Sequence, residues 1–183
     1  MDYIKDVPWR KGLRHFDSNN FLYSDPDHIF RWVERNPDDL DRVLGKFSAQ
    51  DCLVVGRTRQ GLAAAPDRLR QTKEIVNHIF SLLTDDSWDL MMAVRCLSRS
   101  AAEYLVSNCN VNTLGNDVAW PLLLRKHGFK LDYEEADGLR YETNDVYVND
   151  VEDVLSDDPA AWMLRVYAAN QHMDAMRPYL QRA

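Results

Sequence analysis

Asp25-Pro26-Asp27 sets two carboxylates one residue apart, directly after the short apolar run Phe21-Leu22-Tyr23. If that run is a buried strand, both acids stand at the carboxyl end of a sheet, where open α/β sheets bind their ligands. A hard cation such as Mg²⁺ is held by one or two carboxylates, and water and substrate phosphates complete its shell. Strand-D-x-D therefore has the chemistry of a metal–diphosphate site. The same acids also suit the first turn of a following helix, where each gains about 0.3–1 kcal/mol from the dipole. The sequence leaves both readings open.

Other polar residues stand out against apolar surroundings. Arg57 and Arg59 follow the run Cys52-Leu53-Val54-Val55-Gly56. Arg95 is alone inside the apolar stretch 89–97, and a buried charge there needs a partner. That partner is either Asp89 or Asp117, or else a bound ligand. Asp117, after Gly115-Asn116, is either a helix N-cap or an acid with chemistry to do. His78 reads as a core or boundary residue of a long helix, and His15, His28, His127 and His172 show no metal-ligand spacing to one another.

The elements that must position these groups follow from pattern. Residues 1–20 are polar, broken by Pro8 and Gly12, and read as an N-terminal arm. Phe21–Ser24 is a short strand, and Pro26 to Arg35 a helix with Ile29, Phe30, Trp32 and Val33 at helical spacing. Asn36-Pro37-Asp38-Asp39 opens a second short helix that ends near Gly45. Residues 52–55 form a strand buried on both faces, followed by a polar loop over 57–65. Pro66-Asp67 starts the longest helix, which presents Val76, Ile79 and Phe80 to Val54. The segment 89–97 is read as a strand, Ser98 as the cap of a helix over 101–106, and Asn116 or Asp117 as the cap of another. Residues 130–134 alternate like a strand near a sheet edge. The stretch 159–180 is a final amphipathic helix with Trp162, Leu164, Val166, Tyr167, Met173 and Met176. Strands alternating with helices predict an α/β fold with a mostly parallel sheet and flanking helices. The chain divides into the arm (1–20), the α/β domain (21–149) and a helical extension (150–183).

Composition narrows the function classes. A chain of 183 residues with 45% hydrophobic and 28% charged residues suits one globular domain. Its net charge of -7 argues against nucleic acid as a partner. No stretch approaches the roughly 18 apolar residues of a membrane span, and residues 1–14 do not read as a signal peptide. Cys52, Cys96 and Cys109 read as small buried hydrophobes in a reducing compartment, hence a cytoplasmic location.

The order of these signals resembles a family. Strand-Asp25-x-Asp27 is followed by Val54-Val55-Gly56-Arg57-Thr58-Arg59, a long helix with Asn77 and Phe80, and Asp89-Leu90-Met91-Met92-Ala93-Val94-Arg95. Leu114-Gly115-Asn116-Asp117 and Gly128-Phe129-Lys130 come next. Over residues 20–143 this resembles the second half of a GT-A glycosyltransferase of the inverting, dolichol-phosphate-mannose-synthase-like kind. Ala93 stands where that family usually has glycine, and Asn116 replaces the first acid of its "ED" pair.

The resemblance implies an N-terminally truncated GT-A domain that transfers a sugar from a nucleoside-diphosphate donor to an acceptor it does not name. It implies Mn²⁺ or Mg²⁺ at Asp25 and Asp27, with Glu142 or Asp137 as a third ligand. Arg57 and Arg59 would lie in a mobile loop over the site, Arg95 on the acceptor side, and Asp117 would be the catalytic base. The family's first βαβ units would come from a partner chain, or a homodimer would cover the sheet edge. Two alternatives accompany this reading: a non-catalytic binding or assembly module, and a phosphatase of the haloacid-dehalogenase type, which also sets D-x-D after a strand.

Overall fold

The computed structural model describes residues 17–47, 50–140 and 155–180. Strand β1 is Asn20–Tyr23. Helix α1, Pro26–Arg35, starts with Asp25 at its N-cap position and a proline in its first turn, where the missing N–H is not needed. Pro37 does the same for α2, Pro37–Lys46. β2 is Cys52–Arg57, buried at every residue. A short helix α3, Arg59–Ala63, is capped by the Thr58 side chain. α4, Asp67–Thr84, ends on Asp85 in the left-handed conformation. β3 is Val94–Ser98, and Ser98 caps α5, Arg99–Asn108, by accepting from Ala101 N. α6 is Asn116–Lys126, β4 is Leu131–Ala136, and α7 is Pro159–Met176.

The sheet has the order β1-β3-β2-β4. It is mixed, which corrects the mostly parallel expectation: β3 runs antiparallel to both β1 and β2, and only β2 and β4 are parallel. The cause lies in residues 85–93, which carry the chain back along the sheet after α4 without forming a strand. Asp89 is bonded to Arg57 at the carboxyl end of β2, and Asn77 on α4 holds both Asp89 and the Leu90 N–H. The chain thus enters β3 at the end where β2 stops, and must run in the opposite sense. The strand expected over 89–97 is accordingly shorter and begins at Val94.

Alternating sheet residues feed two cores. Cys52, Val54 and Leu97 pack with Val76 and Phe80 of α4, with Ala101 and Leu105 of α5, and with Val118 and Leu122 of α6. Leu53, Val55, Val94 and Cys96 pack with Trp32 of α1 and with Leu40 and Val43 of α2. Val54 is fully buried among α4 side chains, as its place in a strand buried on both faces predicts. β4 is an edge strand of this sheet. Lys46 of α2 donates to Glu134 Oε2 at 2.7 Å, and Arg42 bonds the same carboxylate, tying β4 to α2.

The C-terminal helix keeps Met173 and Met176 of its expected face against the core and turns Leu164, Val166 and Tyr167 away from it. Leu164, Val166 and Tyr167 are exposed, while Ala168, His172, Ala175 and Met176 are buried. Close approach decides this. Gly115 at the start of α6 leaves room for the α7 backbone, since a Cβ there would fall 2.5 Å from Gln171 O. Ala168 and Ala175 of α7 therefore turn inward, beside His172 and Met176. Gly115, rather than Asn116 or Asp117, also occupies the N-cap position of α6.

Candidate functional site at the strand ends

Asp25 lies two residues beyond β1, in an extended conformation that ends the strand and opens α1. Its side chain makes no capping hydrogen bond, so this acid does not spend its oxygens on the helix. Asp25, Asp27 and His28 present ligand atoms that all lie within 4.8 Å of one another. Both acids are exposed and His28 is half-buried. Burial raises the Asp25 carboxyl above its ordinary value; His28 opposes this, and Asp27 and Asp117 add to it. His28 Nδ1 is sealed from solvent without a hydrogen-bond partner. Carboxylate oxygens suit Mg²⁺ and Mn²⁺ and an imidazole nitrogen suits other divalent metals, so these three groups are chemically able to hold a divalent cation.

Asp117 belongs to the same end of the sheet. Tyr23 pairs with Arg95 across β1 and β3, and Arg95 Nη2 donates to the Asp117 carbonyl at 3.1 Å. Burial raises the Tyr23 hydroxyl, and the charges of Asp117 and Asp25 raise it further. Both acids thus lie within electrostatic reach of this tyrosine. The Asp117 carboxylate is half-buried and lies 3.4 Å from His172 Nε2. His172 Nδ1 lies 2.7 Å from Ala168 O. A carbonyl only accepts, so Nδ1 carries a proton. The Nε2–Oδ2 contact is then a hydrogen bond only when a second proton lies between the two. In that doubly protonated form His172 fixes the direction in which this carboxylate points.

The arginines have other duties than expected. Arg95 is 1% exposed and donates to the carbonyls of Val94, Leu90 and Asp117. It is partnered by backbone oxygens rather than by a carboxylate or an open acceptor side, and it positions the start of α6. Arg57 is the last residue of β2 rather than part of a loop. Its Nε and Nη2 meet the two Asp89 oxygens at 2.7 and 3.0 Å. Burial opposes the Asp89 charge, but Arg57, then Lys73 and Asn77, hold its carboxyl below the ordinary value. Arg59 is exposed at the start of α3. It lines a cavity of about 370 Å³ with Asn77, His78, Trp88, Tyr133 and Glu135. That cavity excludes Asp25, Asp27 and Asp117, and His78 is exposed beside it rather than in the core. Asp137 is paired with Arg140 at 2.8 Å, and Glu142 lies outside the described residues.

Lys73 and Arg165 escape the sequence reading, and His28 and His172 are set aside in it for want of metal-ligand spacing to another histidine. His28 directly follows the D-x-D. Arg165 and His172 are seven apart on α7, the spacing that puts two side chains on one helix face, but the large apolar residues beside them drew attention to the opposite face. Lys73 has no signal in the sequence, because a lysine on a long helix is ordinarily solvated. Compared with family models, with curated proteins and with solved structures, the chain matches none of them.

Proposed function

We propose that this chain is a GT-A-like glycosyltransferase domain that takes a sugar from a nucleoside-diphosphate donor with the help of Mn²⁺ or Mg²⁺. The observation that carries this reading is the proximity of Asp25 and Asp117, whose charges reach each other and Tyr23 at the carboxyl end of β1. A transferase needs that arrangement, because the acceptor oxygen attacks the carbon bonded to the diphosphate. The family order of motifs supports it independently.

Asp25 and Asp27, with His28 beside them, would hold the cation; Glu142 keeps only the role that the resemblance implies. When bound, the cation offsets the charge that develops on the leaving diphosphate. Asp117 accepts the proton of the acceptor hydroxyl, and His172 holds its carboxylate in place. Arg95 anchors the Asp117 backbone. Arg59, which lines a cavity apart from these acids, keeps only the donor-side role that the resemblance implies, and Arg57 is committed to Asp89. The oxygen that attacks belongs to an acceptor whose identity the motifs leave open.

A donor-hydrolysis and transfer panel of UDP- and GDP-sugars with Mn²⁺ tests the reading. Asp117→Asn should lower turnover by about 10²–10⁴-fold with donor binding unchanged, as loss of a general base does. Turnover equal to wild type in that variant removes Asp117 from the chemistry.

A further inference from the structure

The cavity of about 370 Å³ is lined from α3, α4, the segment 85–93 and β4, and none of Asp25, Asp27 and Asp117 belongs to it. It is of the size that holds a small molecule. Several of its polar groups are already satisfied. Arg57 and Asp89 are paired at 2.7 Å, and Asn77 donates to Asp89 and accepts the Leu90 N–H. Its aromatic lining is fixed by stacking: the Trp88 and Tyr133 rings lie 8° from parallel with centroids 5.6 Å apart. Leu62 of α3 adds an aliphatic surface.

Two opposite charges remain. Arg59 of α3 and Glu135 of β4 both line the cavity, and both are exposed. Among the described residues neither side chain makes an ion pair or a hydrogen bond, and they do not pair with each other. Opposite charges held apart on one cavity select by charge. A simple anion would meet Glu135 and Asp89 as well as Arg59. A simple cation would meet Arg59 and Arg57 as well as Glu135. A molecule that carries both signs leaves neither charge opposed.

We propose that this cavity binds a small zwitterion of the α-amino-acid class with an apolar side chain. Its carboxylate takes the forked N–H donors of Arg59, its ammonium donates to Glu135, and its side chain rests on Leu62 and the Trp88–Tyr133 rings. Exposed ion pairs are weak singly, so affinity comes from the three contacts together. The site rests on this cavity alone and stands whether or not the chain transfers a sugar.

Titration of the full chain with L-leucine and L-phenylalanine, followed in proton–nitrogen correlation spectra by the indole peak of Trp88, tests the site. That peak is identified by its absence from Trp88→Phe. Both amino acids should shift it to saturation, and glycine, without a side chain to bury, should bind about tenfold more weakly. Leucinamide lacks the carboxylate and N-acetyl-leucine lacks the ammonium, and each should also lose about tenfold. Arg59→Gln and Glu135→Gln should weaken leucine binding by the same factor. Arg70→Gln, at an arginine of α4 that is paired with Asp67 and outside the cavity, should bind as wild type does. Arg59→Gln and Glu135→Gln replace exposed side chains and should fold, which circular dichroism checks. Leucine binding that UDP leaves unchanged supports the proposal. A Trp88 peak that does not move, equal binding of either blocked form, or equal binding by folded Glu135→Gln overturns it. Displacement of leucine by UDP overturns it as well, since the cavity then belongs to a nucleotide.

Discussion

A lysine ammonium that is half-buried among arginines loses hydration that its neighbours do not return, and Lys73 is in that position. Its amine titrates at about 7 in the folded chain and at about 10.4 when unfolded. Below pH 7 both states hold the proton, and the folded state bears the full penalty. Between about pH 7 and 10 the unfolded state binds more protons, so the contribution of this residue to stability rises with pH. Lys73→Met should therefore melt higher than wild type, by most below pH 7, with the gap closing toward pH 10. A gap that does not change across this range, read from melting curves, would contradict the assigned environment. Of the site residues, the D-x-D acids were legible because their spacing and their place after a strand are local facts. The partner of Arg95 was not. It proved to be three backbone carbonyls, and nothing in a sequence marks a carbonyl as an ion's counterpart. Ala93 is a middle case. Its φ of 52° is a left-handed conformation that favours glycine, and an alanine in the sequence does not announce it.

The segment 85–93 and its two anchors decide the sheet. Gly56 lies where a Cβ would meet Asp89 O at 2.6 Å and the Tyr133 ring, so glycine there lets the segment approach β2. Tyr133 Oη accepts from the Asp89 N–H at 3.1 Å, and burial raises this hydroxyl to about 12. Gly56→Ala should push the segment outward, break the Arg57–Asp89 pair and leave two buried charges without partners. A loss of about 3–5 kcal/mol in urea unfolding is expected, the usual effect of breaking a buried pair. A loss below about 1 kcal/mol would mean that the segment moves freely and does not set the direction of β3. Helix starts at Pro26, Pro37 and Ser98 were legible, because caps and prolines act over a few residues. Strand direction was not, because it depends on long-range contacts to this segment, the Arg57–Asp89 pair and the Asn77 and Tyr133 hydrogen bonds among them. The inward face of α7 was hidden for a related reason: small residues that fit beside Gly115 outweighed a larger apolar stripe.

Taken whole, the molecule brings β1, β2, α1, α4, α6 and α7 to one end of a four-stranded sheet. Among the described residues no helix is long and apolar enough to cross a membrane. That end carries Asp25, Asp27 and Asp117, with His172 of α7 against the Asp117 carboxylate. The α/β class was legible from alternating patterns, whereas this contact was not, since α7 joins the site from far along the chain.

The central claim is that the acids at the end of β1 hold a divalent cation together with a diphosphate. Melting temperature of the wild-type chain and of Asp27→Asn, with Mn²⁺ alone and with Mn²⁺ plus a nucleoside diphosphate, tests it most directly. A ligand at 100 times its dissociation constant stabilises by about 2.7 kcal/mol. Wild type should therefore melt several degrees higher with both ligands than with either one. Asp27→Asn, which removes an exposed charge, should match the unliganded wild type and lose that gain. An equal upward shift in wild type and Asp27→Asn, or no shift in wild type, would contradict the account.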